Sequence, residues 1–412
     1  MALGQTPSGP NTTYKLLSVH VKGLQRLTEE QVVAASGLKI GRLTGEAGFQ
    51  QAAQKLGQTG VFTEMNYTFQ YSRAGCDLEF QVTENPTVVP TVFDNLVWFS
   101  DKELVDLLRA RVPLFDGKVP EQGNLAEQVS QALASILKEK NIQGEITYFP
   151  FARDDGPIES YDYKLTFHSV VIRNVDFPGA AADEVPALTA AAKPLAGTNY
   201  LLTDMRMREK LDLLPVFRAR GYLKAQFADA QTKVVQEGAQ TLVDVSFPVV
   251  PGSQYRVSEV QIVGEKAFSV ENLRDLLHLK IGEPANAVQL SEDLQQIHKL
   301  YGTKGYLMAH VDPAPQMDDG KATVSYQLNV QEGDVYRMGD LSIDGLPDEN
   351  AKRMAAQWQM KKGDAYDESY LQRFFSILYR DFGLNRTYDL DPKQAIDRNE
   401  KTVSVSLHFV PH

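Results

Sequence analysis

Tyr255-Arg256-Val257-Ser258-Glu259-Val260-Gln261-Ile262-Val263-Gly264 opens the stretch whose reading decides the fold. Its second half alternates apolar and polar side chains, which predicts a strand. Gly264 closes the run, as a turn with positive φ would select. Phe268-Ser269-Val270-Glu271-Asn272 then predicts a helix start with Ser269 as N-cap. Leu273, Leu276 and Leu277 supply an i, i+3, i+4 apolar face. After Gly282 a second helix is expected from near Ser291, with Leu294, Ile297, Leu300 and Tyr301 on one stripe, ending at Gly302-Thr303-Lys304-Gly305. Residues 306–311 read as a short second strand, Asp318-Asp319-Gly320 as a turn, and residues 322–330 as a third strand. The unit is β-α-α-β-β.

The same punctuation recurs. Gly264 and Gly282 are 18 residues apart, and so are Gly23 and Gly41, Gly179 and Gly197, and Gly345 and Gly363. Unit starts fall near residues 23, 100, 179, 264 and 345. That period suits a small domain and is too long for a solenoid repeat. The expected fold class is therefore α+β, with five tandem domains, each a three-stranded sheet covered by two helices, strung into an elongated arm. The expected boundaries are a disordered tail at 1–13, then units at 14–85, 86–169, 170–252, 253–334 and 335–412. The second unit departs: Ser100 stands at the expected first glycine, Asn141 at the later one, and Gly117 keeps the middle position. Linkers of two or three residues, such as Gly252-Ser253 and Gly333-Asp334, predict a semi-rigid string.

Composition narrows the function classes. The 412 residues are 43% hydrophobic and 23% charged, ordinary values for a globular chain. The net charge of −11 argues against a nucleic-acid partner, which selects a basic face. No apolar run reaches the length of a membrane-spanning helix. The first 13 residues lack the basic and apolar segments of an intact signal peptide; a processed leader with a new initiator Met would read the same way. The single cysteine, Cys76, sits in an alternating strand pattern with Leu78 and Phe80 and reads as a buried structural thiol.

The unit order, its strand-ending glycine, the Gly-Tyr or Gly-Phe entry into the second strand, and the passage from Val330-Gln331-Glu332-Gly333 into the next strand together resemble the POTRA domain. Five copies look like the periplasmic arm of an outer-membrane assembly protein of the BamA/TamA type. The resemblance covers about residues 14–412. It implies a location in the periplasm at the inner face of the outer membrane. It also implies partners: unfolded outer-membrane β-barrel precursors, assembly lipoproteins, and a membrane β-barrel, either a missing C-terminal part or a separate chain. The chain is expected to be either an excised periplasmic region or a stand-alone interaction module. A two-partner secretion transporter is the alternative within the fold, although those carry two copies.

No catalytic residue, metal site, cofactor or small-molecule substrate is expected. The seven histidines are scattered, with His278 and His298 on separate expected helices, and neither H-E-x-x-H nor C-x-x-C occurs. Gly302-Thr303-Lys304-Gly305 matches the G-x-x-G loop of KH domains but reads as a helix-ending turn. An enzyme would require convergent polar residues in a cleft between units. Binding by backbone remains, because a three-stranded sheet leaves a hairpin strand at its edge. The expected client edges are Tyr222, Leu223, Ala225 and Phe227 in the third unit and Tyr306, Leu307, Ala309 and Val311 in the fourth. Arg386, Asp389, Asp391 and Pro392 blunt the fifth. Trp358 is expected in a core.

Overall fold

In the computed structural model, residues 13–153, 156–236, 238–382 and 388–411 are described, the side chains of 377–382 excepted. The expected tail, residue 13 excepted, and Arg386 fall outside the described residues.

The first unit contains β1 (Tyr14–Lys22), α1 (Glu29–Ser36), β2 (Leu43–Thr44), α2 (Glu46–Gln58), β3 (Phe62–Tyr71) and β4 (Cys76–Glu84). The second contains β5 (Val88–Phe93), α3 (Asp101–Arg111), β6 (Lys118–Pro120), α4 (Leu125–Glu139), β7 (Glu145–Ala152) and β8 (Ile158–Thr166). The third contains β9 (Ser169–Asp176), α5 (Val185–Ala192), α6 (Leu202–Arg208), α7 (Leu214–Arg218), β10 (Gln226–Phe227), β11 (Gln231–Gln236), β12 (Gln240–Ser246) and β13 (Val249–Val250). The fourth contains β14 (Arg256–Val263), α8 (Val270–Arg274), α9 (Ala287–Gly302), β15 (His310–Asp318) and β16 (Thr323–Gln331). The fifth contains β17 (Arg337–Asp344), α10 (Asp348–Gln357), α11 (Tyr370–Phe382), β18 (Tyr388–Asp397) and β19 (Thr402–Pro411).

One topology recurs. In each main sheet the last strand lies in the centre, parallel to the first and antiparallel to the hairpin strand before it. The hairpin's leading strand is therefore always the outer one: β3, β7, β11, β15 and β18. The first two sheets have four strands rather than three, because β2 and β6 pair with β1 and β5. In the other units that position shrinks to the single bridges Val171–Asn199, Arg256–Pro284 and Arg337–Ala365.

The 18-residue glycine spacing has a backbone explanation. In the fourth unit the amide of Gly282 donates to the carbonyl of Val257, 2.7 Å, and pins the loop between the helices to the first strand. Gly264, at φ +95°, lies so close to the last strand that an added Cβ would sit 2.4 Å from the Val330 carbonyl oxygen. Gly23 and Gly345 meet the last-strand carbonyls of Val82 and Phe409 in the same way, and Gly179 meets the Val249 carbonyl of β13. Gly41, Gly197 and Gly363 repeat the second bond, to Leu16, Ile172 and Met338.

The second unit corrects one expectation. Ser100 is the N-cap of α3, in a capping box with Glu103, and not the counterpart of the strand-ending glycine. Thr28 and Ser269 cap the equivalent helices five residues after Gly23 and Gly264, so the counterpart is Asn95. The Asn95 side chain donates to the Leu165 carbonyl at 2.9 Å and accepts from the Leu165 amide at 2.8 Å, replacing close backbone approach with a two-way clamp. Asn141, at the position of the later glycine, has φ 59°.

Two bodies make up the fold. One holds the chain to Pro178, Leu188–Glu209 and Asp229–Pro248; the other holds Gly179–Ala187, Lys210–Ala228 and Val249 onward. The division runs through the third unit. In the first body a continuous core from Leu16 to Leu165 unites the first two units. In the second body the fourth unit's core is built on Tyr255, Leu273, Ile297, Tyr301 and Leu328, and the fifth's on Met354, Tyr366, Phe374 and Leu407. Trp358 packs edge-on against Tyr370 and Phe374, and its indole N–H donates to the Met360 carbonyl.

Helix limits follow local chemistry. α9 starts at Ala287, four residues before the expected Ser291, because Asn286 caps it by accepting from the Gln289 amide. Asp293 on α9 is buried and accepts from the His278 amide and ring, both at 2.7 Å, so His278 belongs to the loop after α8 rather than to a helix. Between α6 and α7 a π-helical turn, Glu209–Leu213, adds a residue to the turn. Leu211, within this turn, is 65% exposed.

Candidate interaction edges and unit junctions

The expected client edges have a different role. Residues 222–225 form a turn, in which the Tyr222 amide donates to the Phe217 carbonyl and Ala225 to Tyr222. Only Phe227 of the four is in a strand, and that strand pairs with β13. Tyr306, Leu307 and Ala309 repeat the turn, with Tyr306 donating to Tyr301 and Ala309 to Tyr306. Val311 alone enters the outer strand β15. Ala225 and Ala309 are buried, and the Ala309 carbonyl is 2.6 Å from His298 Nδ1. The expected strand at 306–311 is thus corrected to His310–Asp318. The physical reason is the preceding helix: one of its last carbonyls captures the first amide of the segment, and the chain then closes a turn on itself through Ala225 or Ala309.

These turns join consecutive units. Leu223 packs against the fourth unit's core and Leu307 against the fifth's. The Tyr255 amide donates to the Gly221 carbonyl, 2.8 Å, and the Tyr336 amide to the Gly305 carbonyl, 2.8 Å. Approach is close enough that a Cβ on Gly221 would meet the Tyr255 oxygen at 2.7 Å, and one on Gly305 the Tyr336 oxygen at 2.5 Å. Gly302-Thr303-Lys304-Gly305 is therefore a helix end and a docking turn: the Gly302 carbonyl accepts from the Glu368 amide, and the Lys304 ammonium lies 4.0 Å from the centre of the Phe268 ring. Polar pairs flank both joints. Lys224 and the Tyr255 hydroxyl converge on Asp319, at 2.7 and 2.6 Å, and Lys401 meets Asp334 at 2.9 Å. Gly60 takes the same place in the first body, against the Gln122 carbonyl.

The joint after the second unit is chemically distinct. The Asp94 carboxylate accepts from the Thr203 amide and hydroxyl, 2.9 and 3.0 Å, and its carbonyl accepts from the Leu202 amide. Asp94 thus caps α6 from the preceding unit. Nearby Asp162 is buried and accepts from the Ser160 hydroxyl, 2.5 Å. Burial raises its pKa, Asp94 adds to the rise, and the Ser160 hydrogen bond and Arg206 oppose it. Tyr200 is pushed up to about 12, chiefly by burial, with Asp94 and Asp101 adding.

The outer strands differ in how open they are. β7 carries Pro150, β15 carries Pro313 and Pro315, and β18 carries Pro392 between Asp391 and Lys393. β11 is six residues long and irregular at Val234/Gln236. β3 has ten residues, no proline and one charge, Glu64. Sequence reasoning passed over it, although its alternation (Met65, Tyr67, Phe69 and Tyr71 against Glu64, Asn66, Thr68 and Gln70) was visible. Cys76, at the start of β4, is fully buried, and burial pushes its thiol pKa up, as a structural cysteine requires. Among the described residues no group of three or more His, Cys, Asp or Glu side chains is arranged to hold a metal, and no helix is long and apolar enough to cross a membrane.

Residues 255–333 match the POTRA family model, described as a surface antigen variable number repeat. This is the fourth unit. A putative outer membrane protein assembly factor of Treponema pallidum is 26% identical over 169 residues, 40% of this chain and 20% of that protein. The outer membrane protein assembly factor BamA of Neisseria meningitidis is 23% identical over 276 residues, 63% of this chain and 34% of that protein. The crystal structure of Haemophilus influenzae BamA POTRA3-5 covers 59% of this chain and 96% of its own, with 19% identity and a TM-score of 0.46. The fold is that of a POTRA protein. More particularly, the fourth unit matches a POTRA domain, and the chain as a whole is similar to the POTRA array of BamA. It spans between a fifth and a third of the length of these two assembly factors.

Proposed function

We propose that this chain is a non-enzymatic periplasmic scaffold for outer-membrane protein assembly, built of five units with boundaries at 14–85, 86–169, 170–252, 253–334 and 335–412. It receives unfolded β-barrel precursors or assembly lipoproteins on its sheets, partly by strand addition, and works beside a membrane β-barrel. The observation that carries this reading is the recurrent sheet order, which leaves an outer hairpin strand in every main sheet. Backbone pairing at such an edge makes little sequence demand, as a receiver of many clients requires. The similarity to assembly factors supports a binding role and not a catalytic one.

The test is a titration of the isotope-labelled full chain with a urea-unfolded outer-membrane β-barrel protein, diluted to a denaturant concentration at which the chain stays folded. Saturable shifts confined to sheet edges and to the faces beside them are expected. Absence of binding to several such clients, together with tight binding of a soluble folded enzyme's substrate or cofactor, would replace the reading.

A further inference from the structure

We infer that the connection between α1 and α2, Leu38-Lys39-Ile40-Gly41-Arg42-Leu43, is a contact site for an anionic phospholipid surface. Ile40 and Leu43 enter the interface, and Lys15, Lys39, Arg42 and Lys55 meet the headgroups. This is a further attachment of the chain and requires neither a client nor a partner protein.

The first observation is apolar surface that the fold holds out in water. Ile40 is 60% exposed and Leu43 72%, whereas Leu38 packs on the core of the first body. The loop is not slack. The Gly41 amide donates to the Leu16 carbonyl at 2.7 Å, and the Leu16 amide donates to the Arg42 carbonyl at 2.9 Å. The Arg42 amide closes a turn on the Lys39 carbonyl at 3.1 Å. Its apex is open: nothing lies within 4 Å of a Cβ placed on Gly41. Two aliphatic side chains on a pinned, open tip add nothing to a core, and a tip suits a deformable interface better than a pocket does.

The second is local charge. No acidic residue occurs between Glu30 and Glu46, in a chain whose net charge is −11. Lys39 and Arg42 flank Ile40, and Lys15 lies directly opposite Leu43 in the β1–β2 pair. A Cβ on Gly37 would be 3.5 Å from the Lys55 ammonium, which brings a fourth cation to the start of the loop. Among the described residues none of these four is in an ion pair, whereas Lys22 and Arg26 of the same unit are held by Glu79, Glu84 and Asp116. Each cation near an anionic surface strengthens attachment about fivefold, and negative charge more than a Debye length away is screened.

The third is the contrast with the repeats. In the fourth unit Leu279-Lys280-Ile281-Gly282 keeps the apolar tip, and Ile281 is 72% exposed. There Lys280 faces Glu283 at 3.9 Å, and Pro284 stands in place of Leu43. In the fifth, Lys361-Lys362-Gly363-Asp364 has no aliphatic tip, and Lys362 is held by Asp340 at 2.6 Å. Of these three loops the first alone joins two aliphatic side chains to unpaired cations, so the chain carries its own controls.

The experiment sediments the full chain with vesicles of phosphatidylcholine containing about 30% phosphatidylglycerol, and with phosphatidylcholine alone. The expected result is binding to the anionic vesicles only, lost as salt is raised to about 0.5 M. Arg42→Gln should weaken it about fivefold, and Ile40→Ser with Leu43→Ser about tenfold, while Ile281→Ser leaves it unchanged. All four side chains are exposed, so the variants keep the fold, which their urea midpoints check. Insertion is read with a polarity-sensitive dye on Ile40→Cys, because buried Cys76 stays unlabelled in the folded chain. Its emission should shift to the blue on anionic vesicles, and that of the dye on Ile281→Cys should not. Vesicle binding that both Arg42→Gln and the double serine variant retain overturns the proposal. A dye at position 40 that stays in water while the chain sediments places the contact elsewhere and overturns it too. So does an absence of sedimentation at millimolar lipid. Binding to soluble polyglutamate that matches the vesicles and survives the serine substitutions makes the ligand an acidic polypeptide and overturns the lipid assignment.

Discussion

Replacing Gly305 by alanine separates two roles of glycine that look alike in sequence. Gly305 and Gly282 have nearly the same backbone, φ +87° and +84°. Alanine at either site meets the same left-handed strain, about 1 kcal/mol. At Gly282 nothing lies within 4 Å of the new Cβ. At Gly305 the Cβ would sit 2.5 Å from the Tyr336 oxygen and 3.1 Å from a Val335 methyl, so the two units must part. Parting stretches the 2.8 Å bond from the Tyr336 amide to the Gly305 carbonyl, worth about 1 kcal/mol, and overpacking adds about 1–2 kcal/mol. The expected cost is therefore about 1 kcal/mol for Gly282→Ala and about 3–4 kcal/mol for Gly305→Ala, with the difference located at the joint. Amide exchange in the full chain reads it directly. A loosening of 2 kcal/mol speeds exchange at Tyr336 about thirtyfold in Gly305→Ala and leaves it unchanged in Gly282→Ala. Equal effects of the two substitutions on Tyr336 would refute the argument that Gly305 is required by the neighbouring unit and not by its own turn.

Further outcomes follow from two hydrogen-bonded carboxylates and the single thiol. Glu332 accepts from the Lys266 and Ala267 amides, 2.7 and 2.8 Å, and from the Tyr301 hydroxyl, 3.0 Å. Burial acts to raise its pKa, but these hydrogen bonds outweigh burial and hold it below its ordinary 4.5. Its stabilisation is complete above that value and lost as pH falls through the lowered folded one. Acid unfolding followed at Tyr301 should show this dependence in the wild type and lose it in Glu332→Gln. Asp162 has the opposite sign. Its raised pKa means the folded state takes up a proton before the unfolded state does, so its contribution to stability falls as pH rises from the ordinary 3.8 through the raised value. Asp162→Asn should leave the chain at least as stable at neutral pH and flatten that part of the urea-midpoint profile. Cys76 should react with a thiol reagent only when the first unit opens, so labelling should accelerate with urea in step with loss of the β3–β4 pairing.

Much of this architecture is legible in the sequence, because its punctuation is intrinsic to single residues. A strand-ending glycine is demanded by a left-handed φ and by a carbonyl with no room for a Cβ, as at Gly264, and both demands recur in the first, third and fifth units. The unit order and the caps at Thr28 and Ser269 follow from patterns of a few residues. The second unit was misaligned because Asn95 meets the same need by a side-chain clamp, which no spacing rule for glycine would find.

The tertiary structure decided which strands are edges and what the Gly-Tyr turns do. Residues 222–227 and 306–311 are largely apolar, free of proline and follow a helix, so by composition they pass for strands. The Tyr222 and Tyr306 amides are instead taken by the helix end, those of Ala225 and Ala309 by the turn itself, and the Leu223 and Leu307 side chains by the next core. A helix cap or a left-handed turn is satisfied within a few residues and can be read from them. An edge is defined by the partner a strand lacks, and that depends on where residues far along the chain have gone.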